Sequence, residues 1–185
     1  VTGVQTCALP ISVTIQAGKG ARIAFLGDTT LGGLVTATTD GAAYDVALTG
    51  GKVALATAVT FANSGVVTLG DGPADDLWFQ AGVTSSVAAT RLAGTIRTTD
   101  AAATFGRTVP AVAGVALLAD TTVATGAGAA TFAGPLDGAR RLVVRAAGDT
   151  TFAAVVGGSV PLAHLETDAP GRTVFSGGTV TTGGP

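Results

Sequence analysis

VALLADTTVATGAGAATFAGPLDG (115–138), ARRLVVRAAGDTTFAAVVGGS (139–159) and PLAHLETDAPGRTVFSGGTVTT (161–182) are three successive renderings of one pattern. Each runs through a strand of alternating residues, a turn rich in Gly or Asp, a strand carrying Thr-x-Phe or a variant of it, a second Gly turn and a short closing strand. Alternation marks a sheet, because successive side chains of an extended chain point to opposite faces. In RRLVVRA (140–146), Leu142, Val144 and Ala146 share one face, and Arg141, Val143 and Arg145 share the other.

The pattern extends toward the N-terminus through phenylalanine. Phe25, Phe61, Phe79, Phe105, Phe132, Phe152 and Phe175 each follow a short strand-like run and precede small residues and a turn. The first gap between them is twice the second, as if it held a unit without Phe, and the later gaps cluster in the twenties. Self-similarity with a period in the low twenties is the signature of a solenoid. One such unit cannot bury its own apolar face, whereas a stack of them encloses a continuous core. The expectation is therefore an all-β chain folded as a right-handed parallel β-helix, with the seven rings at one place in each coil as an internal core stack. At about 21 residues per coil it would make roughly eight coils, a rod section about 38 Å long at the usual strand spacing. A pair of β-sandwich modules is the competing architecture. Unit length argues against it, because a sandwich needs about 100 residues of non-repeating strands.

Composition agrees with strands. Hydrophobic residues make up 47% and charged residues 12% of the 185, too apolar for a solvated tail, and 28 Gly supply many turns. There is one Glu, Glu166, and no Met, so surface helix formers are scarce, while Thr and Val are plentiful. The net charge of −2 gives no basic face for nucleic acid. The longest apolar run, VPAVAGVALLA (109–119), is about half a membrane span and contains Pro and Gly, so it reads as core strand and not as a spanning segment.

The first eleven residues, VTGVQTCALPI (1–11), stand apart. They resemble, codon for codon, the translation of a common short-read sequencing adapter. That resemblance implies that 1–11 is adapter-derived and that 12–185 is a partial β-helix region of a longer protein, lacking its capping coils. The only cysteine, Cys7, falls inside this stretch, so no disulfide is expected in the remainder. Uncapped coils expose strand edges, which predicts edge-to-edge self-association of the isolated chain; a monodisperse monomer in light scattering would contradict it.

The stretch 115–182 resembles the degenerate passenger repeats of large bacterial exoproteins of the filamentous haemagglutinin and autotransporter-adhesin kind. The segments ADTTVATGAGAATFAGPLDGARRLVVRAAG, GDTTFAAVVGGSVPLAHLETDA and VFSGGTVTTGG carry the likeness. It lies in their succession, and no single motif is diagnostic. The resemblance implies export, a β-helical stalk or adhesin passenger at the cell surface, host-surface or matrix glycans or proteins as partners, and no catalysis. No binding residue carries over, because such repeats have no fixed functional motif.

Candidate chemical sites are few. The turn LGDGPADD (69–76) places Asp71, Asp75 and Asp76 where their carboxylates could face Ca²⁺; placement for turn chemistry explains them more simply. In DLWFQAG (76–82), Phe79 inward puts Trp78 outward, where it and Tyr44 could anchor a glycan or protein. A β-helix carbohydrate enzyme would need two carboxylates flanking a glycosidic bond, and the remaining Asp residues are scattered through turns. Aligning Phe152 with Phe175 sets His164 beside Arg141, Arg145 opposite Asp168 and Arg141 diagonal to Glu166, outward pairs that fix register. No cofactor motif is legible; GKGAR (18–22) lacks the spacing of a phosphate-binding loop.

Overall fold

The computed structural model describes residues 11–16, 20–37, 43–107, 114–168 and 170–184. The described chain is all strand and turn, and its strands stack in parallel in about six turns of a β-helix. Every strand pair among the described residues is parallel, which an antiparallel sandwich would not show. Residues 1–10 of the adapter-like stretch and 109–113 of the long apolar run lie outside the described residues, while Val115–Gly126 is a strand.

Each coil contributes to three columns. The first contains Arg22–Phe25, Asp45–Leu48, Val66–Leu69 and the leading part of Ala89–Thr98 and of Val115–Gly126. The second contains Thr29–Leu31, Lys52–Leu55, Asp76–Phe79, the trailing parts of the same two long strands, Arg141–Ala146 and His164–Thr167. The third is a six-stranded sheet running from Val59–Phe61 through Val83–Ser85, Ala103–Phe105, Ala130–Phe132 and Thr150–Phe152 to Thr173–Phe175. In this third column the chain from Ala103 to its partner Ala130 is longer than the chain from Ala130 to its partner Thr150. The coils are thus uneven in length, longer on average than the phenylalanine spacing implied, and fewer than the eight expected.

Five of the seven phenylalanines lie on one ladder: Phe61, Phe105, Phe132, Phe152 and Phe175. Phe132 and Phe152 stack with centroids 5.0 Å apart and planes 6° apart, and Phe152 and Phe175 at 4.9 Å and 8°. Phe105 tilts 41° against Phe132. The other two correct the expectation. Phe25 heads a leucine ladder in the first column, paired with Leu48 and followed by Leu69, Leu92 and Leu117. Phe79 sits in the second column between Leu55 and Thr98. The sequence context misled here because a large apolar residue before a turn ends strands in all three columns. Phe175, at the edge of its sheet, is 47% exposed.

Ser85 interrupts the phenylalanine ladder and Thr90 interrupts the neighbouring valine ladder. Both are fully buried, and their hydroxyls bond to each other at 2.9 Å. Two polar intrusions in one coil thus satisfy one another, which removes the cost either would carry alone. Asn63 is buried as well; its amide nitrogen donates to the Tyr44 carbonyl at 3.0 Å.

The aspartates in turns and at strand ends and corners do more than shape the chain locally. Oδ1 of Asp28, Asp45, Asp100 and Asp120 accepts the backbone N–H of Lys52, Val66, Ala127 and Arg141, at 2.8–3.0 Å. Asp137 accepts from both Ser159 and Val160. Each bond reaches the next coil, so these carboxylates staple turn to turn where the strand ladder is interrupted and backbone donors would otherwise lack partners.

Candidate functional site

The second column carries the most varied outer face. Alternation sends Leu77, Ile96, Val123 and Val144 inward, all fully buried. Two outward rows remain. One runs Lys52, Asp76, Thr95, Thr122, Val143, Glu166. The other runs Ala54, Trp78, Arg97, Ala124, Arg145. Val143 belongs to the outward row yet is only 7% exposed, because it lies in the wall of a groove.

Trp78 faces outward beside the fully buried Phe79, as the alternation requires. Its ring is partly covered: the Arg97 guanidinium carbon stands 4.5 Å from the ring centroid, and the indole N–H donates to the Thr99 hydroxyl at 3.1 Å. Arg97 also donates to both oxygens of Asp76, at 2.7 and 3.0 Å. The Arg97 hydrogen bonds hold the Asp76 carboxyl below the ordinary aspartate value; attraction to Arg97 and Lys52 adds to this and burial opposes it. The same hydrogen bonds raise Arg97. Tyr44, in contrast, is 1% exposed and its hydroxyl donates to the Ile15 carbonyl, so it is core and not a surface anchor.

The three acidic candidates of the 69–76 turn diverge. Asp71 is exposed, Asp75 turns back to accept the N–H groups of Asp71 and Gly72 at 2.8 and 2.9 Å, and Asp76 is held by Arg97. Among the described residues, no three His, Cys, Asp or Glu side chains come together as a metal site. His164 pairs with Arg141 in register, and its Nε2 lies 3.6 Å from Glu166. Arg141 bonds Glu166, as the alignment anticipated, and this bond holds the Glu166 carboxyl below its ordinary value. The expected pair of Arg145 with Asp168 does not form. Asp168 instead accepts the backbone N–H of Ala146 at 2.9 Å, because a short side chain at a strand end reaches an amide more readily than a guanidinium.

Depressed Asp76 has a consequence for pH. A carboxyl bound more tightly when ionised stabilises the fold above its unfolded value, and that increment is lost as pH falls through the acid range below about 4. Asp76→Asn is therefore expected to lower the urea midpoint at pH 7 and to match the wild type near pH 2. Both partners are more than a third exposed, so the gap corresponds to less than about 1 kcal/mol. An unchanged gap at low pH would contradict the assignment.

Two depressions mark this face. One of about 260 Å³ lies over Thr95, Thr122, Asp120, Arg141, Val143 and Arg145. The other, of about 300 Å³, lies over Lys52, Asp76, Trp78 and Arg97. Thr95 of the first is the register partner of Asp76 in the second, so the two are contiguous. The sequence reading singled out Trp78 but missed Thr95, Thr122 and the role of Arg97. Aligning DLWF (76–79) with TIRT (95–98) would have found Arg97, since that offset sets it beside Trp78. No helix of the described residues is long and apolar enough to cross a membrane. Family models, curated proteins and solved structures were compared with this chain, and none matches it.

Proposed function

We propose that this chain is a segment of an exported bacterial surface protein, serving as part of a stalk or adhesin passenger and not as a catalyst. The observation that supports the reading is the phenylalanine ladder. Aromatic rings stacked from coil to coil, with parallel backbone bonding along the same direction, make a rod that resists bending and carries other regions away from a surface. The aspartate staples add to this by tying the turns of successive coils together. The likeness of 115–182 to passenger repeats points the same way.

Two measurements test the reading together. Sequencing the DNA on either side of this reading frame should reveal further coils of the same Thr-x-Phe type. Cell fractionation with an antibody against the chain should place the full protein at the cell surface or in the medium. Flanking sequence without such coils, together with a protein confined to the cytoplasm, would overturn the proposal.

A further inference from the structure

Among the described residues that line the depression over Thr95 and Thr122, Arg145 is a cation held by no carboxylate. Arg97 is tied to Asp76 and Arg141 to Glu166. The Arg145 guanidinium makes no ion pair or side-chain hydrogen bond with a described residue, because Asp168 has been taken by the Ala146 amide. It is exposed, and it lines the depression of about 260 Å³ with the hydroxyls of Thr95 and Thr122. The one carboxylate in that lining, Asp120, accepts the Arg141 backbone N–H. Between Arg97 and Arg145 the row holds only Ala124, so the floor there is a methyl group. Two strand steps of about 4.8 Å separate Arg97 from Arg145 within this row, roughly 10 Å along the solenoid axis.

We propose that this groove binds a carboxylated polysaccharide, a polymer of uronic acids laid along the axis. A guanidinium fork with free donors pairs with a carboxylate through two parallel bonds, and one such cation beside the Asp120 carboxylate suits a polymer with one charge per sugar better than a densely sulfated one. The threonine hydroxyls both donate and accept, which suits the hydroxyls of a sugar. The flank of Trp78, one strand beyond Arg97 in the same row, offers an apolar surface to a second ring. A peptide strand is a poorer fit, because the backbone groups of a sheet lie in its plane and bond along the ladder, leaving only side chains on its face. The inference does not depend on the stalk reading: a rod without this site, or this site on an intracellular protein, would each show in separate measurements.

The test is affinity electrophoresis of the 185-residue chain through gels containing polygalacturonate, dextran sulfate or neutral dextran, with titration by calorimetry using oligogalacturonates of increasing length. Retardation by polygalacturonate is expected, weaker retardation by dextran sulfate and none by neutral dextran. Arg145→Ala should weaken oligogalacturonate binding about tenfold, the scale of one charge-assisted pair, and Arg145→Lys should recover only part of it. Trp78→Ala should weaken long oligomers more than short ones. Arg91→Ala, an exposed arginine in the first column, should bind as the wild type. Circular dichroism of each variant checks that the fold is retained. The proposal is overturned by absence of retardation in polygalacturonate, by stronger binding of dextran sulfate, or by equal losses from Arg145→Ala and Arg91→Ala, which would mark diffuse charge attraction.

Discussion

Replacing Phe132 by Ala is expected to cost about 3–5 kcal/mol, the range for deleting a buried aromatic ring. Phe132 is fully buried, with Phe105 on one side and Phe152 on the other. Removing it leaves a cavity that neither neighbour can fill, since each ring is fixed by its own strand in the third column. It also interrupts the contact between coils, and in a solenoid that contact carries the cooperativity of the stack. Urea unfolding followed by circular dichroism should show a lower midpoint and a shallower, less cooperative transition. Phe175→Ala provides the contrast: the residue is 47% exposed and its ring has a stacking partner among the described residues on one face only, so the loss should be about 1–2 kcal/mol. Equal losses at the two positions would mean that the rings do not form an internal ladder.

The second large effect is expected at a corner. Gly94 joins the first and second columns inside the strand Ala89–Thr98, where the pairing with the next coil shifts register. Its φ is +71°, in the left-handed region that a side chain disfavours by about 1–2 kcal/mol. A Cβ there would also overlap the carbonyl oxygen of Asp75 and come within 2.9 Å of the Gly72 carbonyl oxygen. The Asp75 carbonyl accepts the Thr95 N–H at 2.7 Å, so it cannot retreat without loss of a bond between coils. Gly94→Ala should therefore cost on the order of 3 kcal/mol, more than the conformational strain alone. Gly20 separates the two contributions. Its φ is +74°, but a Cβ there would meet nothing within 4 Å, so Gly20→Ala should show the strain only. Matching midpoints for the two variants would contradict the close approach at the corner.

The architecture was legible in the sequence because a solenoid repeats its own instructions. Ala-Thr-Phe or Thr-x-Phe followed by a glycine turn recurs in the third column from Ala103–Phe105 onward, and alternation in RLVVRA separated core from surface correctly for Leu142, Val144 and Ala146. The register of Arg141 with His164 and Leu142 with Leu165 followed from one alignment of two phenylalanines. What failed was the assignment of Phe25 and Phe79 to the same ladder. A strand end before a turn looks alike in all three columns, and only the pairing partner distinguishes them. Ser85, where the ladder lacks a ring, carried no aromatic signal at all, and its compensation by Thr90 depends on a contact across a turn.

The candidate site was less legible for a related reason. Trp78 is a conspicuous letter, and alternation was enough to face it outward. Arg97 gains its place as the register partner of Trp78, at an offset shorter than the repeat length inferred from phenylalanine spacing. The freedom of Arg145 depended on a competition that letters do not record, in which the Ala146 amide and not the guanidinium claims Asp168. The aspartates posed the opposite problem. They read as dispersed turn residues, while their carboxylates reach across to the neighbouring coil.

Nuclear Overhauser spectroscopy on the chain with site-resolved phenylalanine ring labels tests the parallel stack most directly. Phe132 should show ring-to-ring cross-peaks to both Phe105 and Phe152, each a full coil away along the chain, and Phe152 should show them to Phe175. Rings that see only their own sequence neighbours, or that report on unrelated cores, would contradict the β-helix and everything built on it.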